Sequence, residues 1–483
     1  MRRGHLGGVE LHVSCPPLQT NRHGKQREEL KNMSDKPSKV WYAAANATNW
    51  TESTIAKAKD LFYLAGLDKC IEKDDSVAIK VHCGEYNRTH CLRPEFVAAI
   101  VEEVKACGGR PFVTDTTTLT YHLFNNRCTG QMLVEGANRH GLNFASLQAP
   151  FIVADGFFGE DDLRIELPEG NILKETYIGR GLYEADAVIN LAHAKGHPIT
   201  AFGGCIKNFG IGAQSKRGKY QTHLAFWGDP EDAIGYPKVN KEGCKGTECP
   251  YAKMCEDSCP DKAITVEPEG VVLDYEKCAL CYSCQVTCMF TGMEGIGFRD
   301  DYFPLAQIAM SDAALGCIKT FKPGKVGFMA YAVDICPECD CFPWGGLPVA
   351  GDVGVFASKD IVAIDTAVCD MIDKAGIYPG SRAEELGLKP GEDKFKAVNA
   401  FTPRIQLKAA EKIGMGTMNY ELIEYEPELN PENIAKWQIR KTPMTVHPMR
   451  QVFERHHVAR EFPFNREDLG GWLAKWKDFD PTA

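Results

Sequence analysis

Cysteines 278, 281, 284 and 288, spaced C-x2-C-x2-C-x3-C, constrain this chain more than any other feature. They close a run of eight that begins at Cys244 and includes Cys249, Cys255 and Cys259. Three more stand at Cys336, Cys339 and Cys341, and the other nine of the 20 are scattered singly. Dense thiols pair as disulfides in short secreted chains, whereas in a long chain of a reducing compartment they point to metal. At 483 residues the chain predicts two or three domains with a sizeable core, not a small disulfide scaffold. Glu10 and His12 interrupt the apolar run that a secretion signal needs, and no stretch approaches the ~18–20 uncharged apolar residues that span a bilayer. The expectation is a cytoplasmic protein with no membrane partner. Residues 1–37 read as a patternless polar leader, and Met33 is a second candidate start.

Acidic side chains outnumber basic ones, 65 to 55, for a formal net charge of −10, which argues against a nucleic-acid partner. The best basic cluster in the body of the chain, SKRGK at 215–219, reads as a solvated loop.

From Lys39 onward, short β-branched runs alternate with amphipathic stretches. KVWYAAA, SVAIKV at 76–81, RPFVTD at 110–115, FIVAD at 151–155 and DAVINLA at 186–192 read as strands. Between them, Thr51 or Ser53 can cap one helix and Pro94 opens another, with Phe96, Val97, Ile100, Val101 and Val104 on one face. The pattern breaks near Asp229 and resumes after about residue 317, with VGFMAYAVD and GDVGVFAS as strands and 361–376 as a helix. This predicts an α/β fold: a mostly parallel sheet with helices on both faces, interrupted by a small α+β insertion. The expected divisions are 38–238 and 298–425 for the two halves of the α/β domain, 239–297 for the insertion, and 426–483 for a C-terminal extension.

In the insertion, the C-x2-C-x2-C-x3-C spacing lets one tight loop present three thiolates to a cubane cluster while the fourth reaches a neighbouring cluster. Cys278, Cys281, Cys284 and Cys259 would then hold one [4Fe–4S] cluster, and Cys244, Cys249, Cys255 and Cys288 the other. Zinc competes, since four-cysteine sites also use C-x2-C pairs, but a zinc ribbon has two well-separated pairs and not an unbroken run. Over 240–297 the sequence resembles a bacterial two-cluster ferredoxin domain, although its first half has x4 and x5 spacings and Cys288 is followed by Met289. Such clusters transfer single electrons or, alternatively, staple a small fold.

Three polar segments follow predicted strands, where open α/β sheets bind ligands. One carries His193, Lys195, His197, Gly203, Gly204, Lys207 and Asn208; a second carries Lys80, His82, Glu85, Arg88 and His90; a third is Asp115 with the threonines after it. Lysines and glycine N–H groups suit an anion, so Lys80, His82, His193, His197 and Lys207 are candidates to meet a small anionic ligand. Cys336, Cys339 and Cys341 suit a third metal site with an outside ligand, a redox-active pair, or an ordinary loop of reduced thiols.

Together KVHCGE, GGRPFVTDTTTLTY, HAKGH-x5-GG-x-IKNFGIG, CDC and GDVGVFASKDIVAID resemble the domain of unknown function 362 family, described as uncharacterised iron–sulfur centre proteins. The resemblance covers roughly 38–425, with a ferredoxin insertion at the same place. It implies a soluble protein of a kind common in anaerobes that binds [4Fe–4S] clusters, and it implies no agreed substrate. Two functions remain open. One is a redox protein, with oxidoreductase as its candidate class, relaying electrons to a polar cleft. The other is a non-catalytic electron carrier or docking subunit with a redox partner protein.

Overall fold

The alternation of apolar strands and amphipathic helices produces one eight-stranded sheet covered on both faces. The computed structural model describes residues 36–119, 125–223, 236–299 and 301–436. Its main strands are β1 (Ser38–Ala44), β2 (Ser76–Lys80), β3 (Arg110–Asp115), β4 (Phe151–Val153), β5 (Ala187–His193), β6 (Val326–Ala332), β7 (Gly354–Ser358) and β8 (Tyr420–Glu424). They lie in the order β8-β1-β7-β6-β5-β2-β3-β4. Only β7 runs against its neighbours, so the sheet is mostly parallel.

Each central strand feeds two cores because successive side chains point to opposite faces. Val77 and Ile79 of β2, Ile189 and Leu191 of β5 and Met329 of β6 enter one core with helices α1 (Thr54–Leu64) and α2 (Pro94–Ala106). Ala78, Val188, Phe328 and Ala330 enter the other. That face is covered by α3 (Cys205–Gly210), α5 (Tyr302–Lys319) and α6 (Ile361–Lys374), with α7 (Arg404–Lys412) behind them. Local signals set the helix starts: Ser53 accepts the Ala56 N–H, Pro94 occupies the first turn of α2, and Asp360 accepts from Val362 and Ala363.

The α/β pattern resumes at Tyr302, earlier than the expected residue 317. Helix α5 has little polar face, because it is buried between α3 and α7 and almost every side of it meets protein, so it lacks the period that marks a surface helix.

Residues 238–297 form a small α+β unit. Ile264–Glu267 pairs antiparallel with Gly270–Leu273, Lys238–Val239 pairs with Ile296–Gly297, and α4 (Ser283–Phe290) carries Cys284 and Cys288. Leu280, Tyr282 and Val286 of this unit pack on Leu119 and Tyr220 of the sheet domain. Among the described residues, those up to 429 form one compact unit, and those from 430 belong to a second, with a helix at Pro431–Lys436. The leader apart from its last two residues, Met33 included, and the extension beyond residue 436 lie outside the described residues.

Candidate functional site

Parallel pairing brings the ends of β2, β3, β5 and β6 to one edge of the sheet: Lys80 stands beside Thr114 and Asn190, and His193 beside Tyr331. The ends of these strands and the segments that follow them hold all five non-cysteine candidates, and the structure divides them into two groups.

Lys80 and His193 are taken up by the fold. The buried Lys80 Nζ donates to Asp115 Oδ1 at 2.9 Å, Asn208 Oδ1 at 3.0 Å and the Val81 carbonyl at 2.7 Å. Burial works against the Asp115 carboxylate, but Lys80 and the cations around it hold its pKa well below the ordinary range. His193 stands between the Asp340 carboxylate, 3.0 Å from Nδ1, and the Val333 carbonyl, 2.8 Å from Nε2. Asp340, between Cys339 and Cys341, also meets Lys195 Nζ at 2.9 Å and Arg88 at 3.8 Å. Burial opposes this charge too, yet His193 and Lys195 keep the acid ionised far below its usual pKa.

The glycine-rich stretch is likewise occupied from within. Cys205 N–H and Ile206 N–H, at the start of α3, each donate to the Asp365 carboxylate at 2.8 Å. Burial pushes the Asp365 acid up to about 7. A Cβ on Gly196 would lie 2.2 Å from the Pro337 carbonyl, and one on Gly204 would lie 2.4 Å from the Phe202 ring. Both glycines therefore admit neighbouring protein atoms, and at Gly204 this stands where an approach to an external oxyanion was expected.

His82, His197 and Lys207 converge instead on the CPECDC loop. His82, Cys339 and Cys341 place ligand-capable atoms within 4.8 Å of one another, a group that could hold a metal ion. Cys336, expected in this set, is not part of it. Its carbonyl accepts the Gly196 N–H at 2.8 Å, and its own N–H donates to the Asp334 carbonyl, which tie it into the loop's backbone. His82 is the member of this group from outside the loop, 257 residues away in sequence, with Nε2 4.0 Å from Cys339 Sγ. Lys207 Nζ lies 3.4 Å from the same sulfur.

The two thiols of this group are not equivalent. Burial disfavours a thiolate at Cys339, but the hydrogen bond from Cys341, the Lys207 ammonium and His82 together bring its pKa well below the ordinary thiol value. Cys341 is pushed the other way by its bond to Cys339 and by burial. Burial also opposes the Lys207 charge, and the two thiols outweigh it and raise its pKa. His197, whose Nδ1 accepts the Ile199 and Thr200 N–H groups, is held neutral, first by burial and then by Lys207.

Sequence reasoning passed over Asp340 as a functional group, and it placed Lys195 in a polar segment without choosing it as a candidate. The available signal was a carboxylate flanked by two cysteines in a loop that the fold has to bury, which demands cations from elsewhere in the chain.

In the 238–297 unit, Cys244, Cys249, Cys255 and Cys288 line one cavity, and Cys259, Cys278, Cys281 and Cys284 line another. Backbone N–H groups point at the sulfurs: Ala263 donates to Cys259 and Ile296 to Cys288, each at 3.2 Å. Leu280 and Tyr282 adopt φ of 56° and 64°, a left-handed backbone rare for side chains of this size, in the loop that carries Cys278, Cys281 and Cys284. Beyond Cys288, Phe290 meets Phe342 and Trp344 edge-on at 4.7 and 4.8 Å, next to Cys341.

Among the described residues, no helix is long and apolar enough to cross a membrane. A comparison with curated proteins gives no match. Among solved structures, the chain is similar to the lactate racemase apoprotein from Thermoanaerobacterium thermosaccharolyticum, at 10% identity over 84% of this chain and 86% of that one. The TM-score of that similarity is 0.34, and nothing about this site follows from it. The family described as Domain of unknown function (DUF362) matches residues 77–370, more than half of the chain and the span that holds every strand-end loop and both groups of thiols, and the chain belongs to that family.

Proposed function

We propose that this protein is an iron–sulfur redox protein whose cysteine unit passes electrons to the thiol site at the edge of the sheet. The observation that carries this reading is the separation of eight cysteines into two cavities of four, each drawing one ligand from the opposite half of the run. In this reading Cys259, Cys278, Cys281 and Cys284 hold one [4Fe–4S] cluster, and Cys244, Cys249, Cys255 and Cys288 hold the other. The donor set fits such a group, with four sulfurs per cavity, N–H groups aimed at Cys259 and Cys288, and apolar lining from Ile264, Leu273 and Val271. Clusters bound there supply one-electron transfer at a potential that N–H···S bonds and burial tune. Helix α4 supports the direction of transfer, since it carries Cys284 and Cys288 and its last residue, Phe290, packs beside the loop of Cys339 and Cys341. Lys207, His82 and His197 are the groups left to meet a ligand there, and a redox partner protein would dock on the cysteine unit.

Anaerobic purification with iron, sulfide, zinc and nickel counted per chain tests this, together with electron paramagnetic resonance of the reduced protein. The expected result is about eight iron and eight sulfide per chain, with Cys284→Ser and Cys249→Ser each removing about half. Zinc in place of iron ends the redox reading.

The internal neutralisation of Lys80, Asp115, His193 and Asp340 favours a second reading, an electron carrier with no chemistry of its own. Lys207→Ala separates the two: a carrier keeps its clusters and passes electrons to an acceptor unimpaired.

A further inference from the structure

The tautomer of His82 decides what the group around Cys339 is built for. Gly84 N–H donates to His82 Nδ1 at 3.0 Å. A backbone N–H has only a proton to offer, so Nδ1 presents its lone pair and the neutral ring carries its hydrogen on Nε2. That nitrogen faces Cys339 Sγ. A metal ion between His82 and the two thiols needs the lone pair of Nε2, which is not available in this arrangement. The contacts of Cys339 Sγ are instead hydrogen donors, His82 Nε2–H and the Lys207 ammonium at 3.4 Å, with the Cys341 sulfur within 4.8 Å. Two such donors at one buried sulfur are the environment of a thiolate, and Cys341 is the more exposed sulfur of the pair.

We propose that Cys339 and Cys341 are a redox-active dithiol that reduces a disulfide-bearing co-reactant and closes to a Cys339–Cys341 disulfide. Cys341, the more exposed thiol, gives up its proton to the Cys339 thiolate, whose sulfur lies within 4.8 Å, and as a thiolate attacks one sulfur of the co-reactant. The co-reactant's S–S bond breaks, and its first half leaves as a thiolate. That thiolate takes the proton from Cys339. Cys339 then attacks Cys341 Sγ in the mixed disulfide, forms the Cys339–Cys341 bond and expels the second half as a thiolate. Two electrons have moved from the protein sulfurs to the co-reactant, which leaves as one thiol and one thiolate, and the charge balances. Asp340, locked between the pair by Lys195, His193 and Arg88, holds the loop so that the two sulfurs stay within reach of each other.

This inference does not depend on the clusters, and its test keeps the two readings apart. The full chain, purified anaerobically with its iron counted, is equilibrated in buffers of reduced and oxidised dithiothreitol, then alkylated and digested with trypsin. The tryptic peptide 326–359 carries Cys336, Cys339 and Cys341 as its only cysteines. The expected result is loss of two hydrogens from this peptide in oxidising buffer, with fragmentation placing the bridge between Cys339 and Cys341. The bridge persists in Cys336→Ala and disappears in Cys341→Ser. Three results overturn the proposal: both thiols alkylated at every buffer ratio, a bridge to Cys336, or about one metal ion per chain that Cys339→Ser and Cys341→Ser both release. A bridge formed in an iron-free chain upholds the dithiol and removes the relay of the proposed function, whereas iron with no bridge does the reverse.

Discussion

Asp340 shows how much of this site is settled by single charges. Its carboxylate is fully buried and balances Lys195, His193 and Arg88, which come from two other loops. Removing one member of a buried charge network leaves the others uncompensated, which costs more than the network contributes when intact. Asp340→Asn should therefore lose about 3–5 kcal/mol in denaturant unfolding at neutral pH. A loss below about 1 kcal/mol would mean that water reaches the cations. His223 is a second case. Its ring contacts Tyr282 of the cysteine unit and Tyr302 of α5, and burial, with Lys207 and Lys219 nearby, lowers its pKa to about 4. The unfolded chain has a histidine pKa of ~6.5, so the fold favours the neutral ring. That stability is intact above about pH 6.5 and is lost as pH falls toward 4, by up to about 3 kcal/mol. Unfolding measured in steps across this range should show the loss, and His223→Gln should flatten it. An unchanged profile in the variant would assign the titration to another group.

At the scale of elements, the strand-end loops hold one another in place by backbone contact. Gly196 donates its N–H to the Cys336 carbonyl at 2.8 Å and has no room for a Cβ against Pro337. Glu85 N–H donates to the Asp340 carbonyl at 2.7 Å, and Arg88 reaches the carbonyls of Glu338 and Trp344. Gly196→Ala should push the Pro337 segment away, costing about 1–3 kcal/mol of stability, and should speed alkylation of Cys339. Normal stability with normal thiol reactivity would show that the loop moves aside freely. Strands β2, β3 and β5 and helices α1, α2 and α6 were legible in the sequence because each has one signal that matches its surroundings: an apolar run flanked by turns, or a 3.6-residue stripe with a cap. Helix α5 was not, because burial on nearly all sides erases the stripe. The edge strand β8 was missed as well, as its five residues are half-buried or exposed at the margin of the sheet and Leu422 and Ile423, side by side, break the alternation that would mark it.

Across the whole molecule, two bodies of different stability share one chain. The sheet domain has two large apolar cores, while the buried cluster of the cysteine unit is Cys255, Ile264, Val271, Cys284, Cys288 and Ile296. Half of that small core is thiol, so on the proposed function the unit would depend on the groups its cysteines hold. Hydrogen exchange on the iron-free chain should show residues 238–297 exchanging close to unfolded rates while β2, β5 and β6 stay protected. Protection of 238–297 without metal would mean that the unit folds on its side chains alone.

The sequence by itself determined the α/β class, because this follows from local spacing and period, and the same kind of local spacing is the ground for the chemistry proposed for its cysteines. It also placed the polar groups at strand ends, since parallel strands bring those ends to one edge. Only the tertiary structure decided which of those groups are spent and which are free to act. Lys80, His193 and the glycine-rich loop meet carboxylates from distant segments, Asp115, Asp340 and Asp365, and are neutralised there. His82 meets Cys339 across 257 residues, with its ring nitrogen turned by the N–H of Gly84. Charge pairing and tautomer depend on distances of a few ångströms between loops far apart in the chain, and no pattern along the chain encodes them.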